Sequence, residues 1–138
     1  MPNRRTAAIH YATAQKERFF DCLNEIVSIP SVSTDPDHKT DIEKAARWMA
    51  DQLTTIGMQK VEIFWTPGHP IVYGEWHSDQ RDAPTVLIYG HYDVQPPDPL
   101  DLWLSPPFTP TQRGDNLYAR GASDMKGQIL ASFKAVES

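Results

Sequence analysis

The sequence predicts an α/β domain, a mixed sheet flanked by helices. Three observations carry that expectation. The run at 85–90, "TVLIYG", has no polar alternation and reads as a strand buried on both faces. Two stretches near 9–28 and 41–56 repeat apolar residues at helical spacing. Short β-rich segments bounded by Gly, Pro and polar residues follow them.

The first helix is expected over Ile9–Ser28. Phe19, Phe20, Leu23, Ile26 and Val27 share one helical face. Pro30 limits it, because the residue before a proline avoids helical backbone. "SIPSVSTDPDHK" then reads as a loop. The second helix has Thr40 three residues ahead of Glu43, a capping box. Its apolar face is Ile42, Ala45, Ala46, Met49, Leu53 and Ile56, and Gly57 suits the left-handed position past its end. Residues 61–65 and 71–76 read as strands that pair as a hairpin or lie in one sheet. "HSDQRDAP" is a polar loop leading to the 85–90 strand. Six of the twelve prolines fall between Pro96 and Pro110, so that region is loop. "NLYARG" reads as one more short strand. Lys126–Val136 reads as a last helix with Ile129, Leu130, Phe133 and Val136 on one face. That helix is still in mid-pattern at Ser138, which suggests a piece of a longer protein or a disordered end.

A chain of 138 residues can build one modest core. Its net charge of −5 argues against nucleic acid as a partner. One cysteine, Cys22, excludes an intramolecular disulfide framework. No secretory signal and no membrane span is legible, so the expected setting is the cytoplasm.

Chemistry concentrates at two places. Directly after the 85–90 run come His91 and Asp93, at i and i+2. Ligands of open α/β sheets bind beyond the carboxyl ends of strands. In an extended segment the two side chains share a face, so the carboxylate can approach the imidazole. A metal-bound histidine usually donates its second ring N–H to such a partner. His-x-Asp alone is a weak motif, and both residues can equally be ordinary loop residues. The second place is "YARGASDMKGQ" at 118–128. Asp124 precedes a helix and can be its N-cap or a metal ligand; the residues leave both open.

Other residues have plainer expectations. His10, His38, His69 and His77 read as exposed loop histidines, and Trp48 and Trp65 as packing. Trp103 and Phe108 pack the proline-rich loop or wall a cleft. Arg120 is expected to pair with a carboxylate, and Lys126 to be solvated or in a local salt bridge.

Taken together, "GHYDVQP" at 90–96, Trp103, the Pro-Pro-Phe and Pro110 of 106–110, and "ARGASDMKGQ" at 119–128 resemble a known family. It is the di-zinc amidohydrolase family of carnosinase-type dipeptidases, acetylornithine deacetylase, succinyl-diaminopimelate desuccinylase and aminoacylase. Tyr92 and Gln95-Pro96 look most like its dipeptidase branch. The resemblance implies that residues 1–138 are the N-terminal portion of a zinc-peptidase catalytic domain, with the rest of that domain and a lid domain absent. It implies that His91 ligates one zinc and that Asp93 has the catalytic role of holding His91. It implies that Asp124 bridges two zinc ions (manganese or cobalt being alternatives) and that the Asp124–Met125 bond is cis. The substrate would be a peptide or acyl-amino acid, and the full-length protein a possible homodimer. Met125, Ala119 and the order of "RGDN" depart from the family's commoner residues. No Glu-Glu pair, the family's source of its general base, occurs in the sequence. The competing expectation is a non-catalytic module that keeps the fold and binds a metal or a partner.

Overall fold

The computed structural model describes residues 3–138. Its elements run α1 (Arg4–Ala14), α2 (Lys16–Val27), α3 (Lys39–Thr55), β1 (Lys60–Phe64), β2 (Ile71–Glu75), β3 (Thr111–Arg113), β4 (Asn116–Tyr118) and α4 (Gly127–Glu137). The class is α/β, as the sequence predicts. β1 and β2 form an antiparallel hairpin with Lys60 opposite Glu75 and Phe64 opposite Ile71. β3 and β4 form a second hairpin, and Val32 and Val94 make a single parallel bridge. Ile26, Val27, Ile29, Ala45 and Met49 centre the core, with Tyr92, Ile129 and Phe133 packed against it.

The helix expected over Ile9–Ser28 is in fact two. Gln15 leaves helical backbone at φ −96°, ψ 9°. The apolar period belongs to α2, which buries Cys22, Ile26 and Val27, whereas α1 buries nothing. With no buried face on α1, the apolar period is not continued across Gln15.

α3 begins at Lys39, behind a tight turn at Pro36–His38, and takes no side-chain cap. The Thr40–Glu43 box is therefore unused, because both residues already lie inside the helix. Its end follows expectation. Gly57 has φ +88°. Gly57 N–H bonds Thr54 O at 3.0 Å and Met58 N–H bonds Leu53 O at 3.1 Å, closing the helix as a Schellman motif. α3 packs its buried face, Ile42 to Leu53, partly against the β1–β2 hairpin.

Two expectations of burial fail. The run at 85–90 forms no strand, and Val86, Leu87 and Tyr89 are 78, 88 and 81% exposed. A fully buried strand needs ladder partners and a cover on each face; among the described residues neither lies beside this run. Trp65 is likewise exposed, with the Arg47 guanidinium 5.0 Å over its ring. Among the described residues no helix is long and apolar enough to cross a membrane.

α4 buries Leu130 and Lys134, while Val136 stays exposed. Lys134 Nζ donates to Gln52 Oε1 at 2.9 Å and to Glu137 Oε2 at 3.0 Å. Arg18 and Tyr11 also donate to the Glu137 carboxylate. Three donors from α1, α2 and α4 thus converge on one acid. Burial pushes the Glu137 pKa up, but the hydrogen bonds from Arg18, Lys134 and Tyr11 outweigh it and hold the group below its ordinary 4.5. The folded value lies under the unfolded one. This stabilisation is therefore present above the unfolded value and is lost as pH falls through the folded one. Glu137→Gln is expected to cost about 1–2 kcal/mol at neutral pH. The gap should close in acid, as read from urea denaturation midpoints across that range.

Candidate metal centre

Past Gly90 the chain carries its ligand-type residues away from the bare 85–90 run. The sequence suggests that Gly90 allows a sharp turn. The structure shows a closer constraint, since a Cβ at Gly90 would overlap the Cδ1 of Ile129 on α4. Tyr92 packs against the core and donates its hydroxyl to Pro70 O. Burial, and then the charge of Asp93, pushes its pKa up to about 12. His91 and Asp93, either side of it in sequence, face each other across 3.1 Å, from Nδ1 to Oδ1. His91 Nδ1 is also 3.2 Å from Asp93 O. Ser33 Oγ donates to the other carboxylate oxygen, Asp93 Oδ2, at 2.5 Å.

Asp124 comes from a wide turn, Ala122–Lys126, that leads into α4. Gly121 opens the turn at φ +83°, and a Cβ there would meet Val94 Cγ1 at 2.5 Å, so only glycine fits. The Asp124–Met125 bond is cis, as the family resemblance implies. α4 takes no side-chain cap, which removes the N-cap reading of Asp124. Its carboxylate instead approaches the imidazole, with His91 Nε2 3.2 Å from Asp124 Oδ1.

The protonation pattern follows from these distances. Nδ1 faces two acceptors of Asp93, so it carries the proton. Nε2 then turns a lone pair towards an Asp124 oxygen. Two lone pairs this close repel unless a cation stands between them, either a proton on Nε2 or a metal ion. Ligand atoms of a tetrahedral zinc, with bonds of about 2.0–2.2 Å, lie about 3.3–3.6 Å apart, close to the separation seen here. The donor chemistry and the 3.2 Å separation therefore fit a divalent metal. Among the described residues no group of three or more histidine, cysteine or acidic side chains is placed to hold a metal ion. A catalytic zinc usually takes three protein ligands, so His91 and Asp124 could supply only one edge of such a site. The edge is open, with the His91 side chain 38% and the Asp124 side chain 79% exposed.

Lys126 overturns its expectation. It is fully buried, neither solvated nor in a salt bridge. Its Nζ donates to Ile26 O at 3.0 Å and Ile29 O at 2.6 Å. Burial lowers its pKa to about 8, against the opposing charges of Asp93 and Asp41. Arg120 also departs from expectation. It donates to Pro96 O at 3.2 Å and lies 5.2 Å from the Trp103 ring centre, with no carboxylate partner. Trp103 donates to Pro97 O at 2.7 Å and so ties down the proline-rich loop. Trp48 is half-buried and donates to Glu25 at 3.0 Å. His69 and His77 are exposed, as predicted; His10 is exposed but helical, and His38 is half-buried beside Asp41 at 2.7 Å.

The sequence reading overlooked Ser33 and misjudged Lys126. Ser33 carries no motif that would announce it. Lys126 had one signal, since it stands four residues before Leu130 and so shares that residue's inward helical face. Lys126→Ala removes two charge-assisted hydrogen bonds and leaves a cavity. The expected cost is about 3–5 kcal/mol, measured by urea unfolding.

Residues 87–138 match the family model described as Peptidase family M20/M25/M40. The chain is 35% identical over 134 residues to the Cys-Gly metallodipeptidase dug1 of Schizosaccharomyces pombe, a match covering 90% of the chain and 28% of that protein. It is 37% identical over 123 residues to a succinyl-diaminopimelate desuccinylase of Delftia acidovorans, covering 87% of the chain and 30% of that protein. The crystal structure of human carnosine dipeptidase 1 matches with a TM-score of 0.86 at 31% identity, covering 99% of the chain and 31% of that structure. The chain thus spans less than a third of the length of these relatives.

Proposed function

We propose that the chain, whose residues 87–138 match the model of peptidase family M20/M25/M40, is the N-terminal portion of a metal-dependent hydrolase of amide bonds. The substrate is a dipeptide or, alternatively, an N-acyl amino acid; Tyr92 and Gln95-Pro96 favour the dipeptide. One observation carries the reading. His91 Nε2 and Asp124 Oδ1, from segments 33 residues apart, converge at 3.2 Å with Asp93 behind the imidazole.

His91 would hold one zinc through Nε2. Asp93 keeps the proton on Nδ1 and so keeps the Nε2 lone pair available. Asp124, its carboxylate largely exposed, would hold metal beside His91. Bound zinc supplies an acidified water and a Lewis acid for the amide carbonyl. The water's proton needs a general base. No Glu-Glu pair occurs in the 138 residues, so the base belongs to the remainder of the protein and the chain alone is inactive. The same remainder supplies the missing ligands, the lid and any homodimer contact. Cys22 is a buried free thiol, which suits a reducing compartment such as the cytoplasm.

The test uses the complete reading frame and its hydrolysis of Cys-Gly and β-Ala-His dipeptides. Chelation should abolish turnover and zinc restore it. His91→Ala and Asp124→Ala should each lower kcat/KM by more than about 10³-fold, and Asp93→Ala by about 10–100-fold. Undiminished hydrolysis after His91→Ala would overturn the metal site. Zinc binding with no hydrolysis would turn the reading to a non-catalytic module. Hydrolysis by the 138-residue chain alone, lost with His91→Ala, would overturn the missing base.

A further inference from the structure

We propose that Ser33 is a positioning residue of the metal centre, acting on His91 through Asp93. The inference rests on the metal reading given above. It starts from the segment Ile26–Ser33, which touches both halves of the centre. On one side Val94 N–H donates to Ser31 O at 2.9 Å, and the fully buried Ser31 donates its hydroxyl to Tyr92 O at 2.6 Å. On the other side Lys126 donates to Ile26 O and Ile29 O. Pro30 fixes its own φ in the middle of the segment. Ile29, Ser31 and Val32 are buried, so the segment is held on both sides and cannot drift.

Ser33 is the next residue along that anchored backbone. Its hydroxyl donates to Asp93 Oδ2 at 2.5 Å, while Oδ1 faces His91 Nδ1 at 3.1 Å. Each oxygen of the carboxylate thus has a different partner, and the two contacts restrain its terminal torsion. Without Ser33 the two oxygens become interchangeable and the carboxylate can swing. The imidazole then loses its fixed bearing. Metal ligands must be held to about 0.5 Å of the working geometry. Among the described residues Ser33 has no other side-chain hydrogen-bond partner.

Two readouts on the complete protein test this. One is zinc affinity by titration with the metal alone. The other is the ¹⁵N and Nδ1–H ring signals of His91 by NMR in metal-free protein. Ser33→Ala is expected to weaken zinc binding about tenfold and to shift and broaden the His91 ring signals. Ser33→Thr, which keeps the hydroxyl, should restore most of both. A serine that only fills space would leave both readouts unmoved in Ser33→Ala, and that result overturns the proposal even if wild type binds zinc. If wild type binds no zinc but Ser33→Ala still moves the His91 signals and Ser33→Thr restores them, Ser33 positions the pair and the metal reading alone fails.

Discussion

The structure depends on a buried ammonium at the end of a helix. The last carbonyls of α2 have no partner within the helix and carry its negative dipole end. Lys126, 100 residues beyond Ile26, reaches in to meet one of them, Ile26 O, together with the Ile29 carbonyl just past the helix. A lysine so enclosed is tolerated only where its donors are satisfied, and the Ile26 and Ile29 carbonyls do this. The contact fixes more than α2. It sets where α4 begins, and it draws the turn that holds Asp124 against the core. It also needs Gly121 bare, because a Cβ there would sit 3.3 Å from the lysine stem and closer still to Val94.

Much of this was legible in the sequence where local chemistry and tertiary demand agree. The apolar face of α3 is buried as its spacing predicts, and Gly57 ends the helix with φ +88°. The β1–β2 hairpin lies within a residue of the expected strands. His91, Asp93 and Asp124 were legible as candidates from two short motifs, and the fold brings all three together. Their convergence needed the fold, since no spacing rule relates residues on two separate segments.

What was illegible has particular physical causes. Lys126 looks solvated because lysines usually are; its burial depends on two backbone carbonyls that no sequence pattern marks. Ser33 is silent for the same reason, as a hydroxyl shows its role only through its partner. The capping box at Thr40 is displaced because Pro36–His38 starts the helical path early. The 85–90 run is a correct reading of composition and an incorrect one of burial, because apolarity states what a segment needs and not what is there to cover it.

That last mismatch bears on the candidate site. His91 stands one residue past Gly90, so it is the far end of the run whose Val86, Leu87 and Tyr89 are bare. It is held from the Val94 side by the bridge to Val32 and the serines beside it, and at Gly90 by Ile129. A segment with few buried contacts opens at little cost in free energy. Asp124, by contrast, is two residues from the buried lysine. The two edges of the site therefore differ in stiffness, the imidazole being the softer one. A cover over 86–89 would stabilise that edge by removing its apolar surface from water, at about 25 cal/mol per Å². By linkage it would raise the affinity of any ion that binds only when both edges are in place. Burial of the bare 86–89 run and occupation of the proposed metal site are thus coupled through the single residue Gly90.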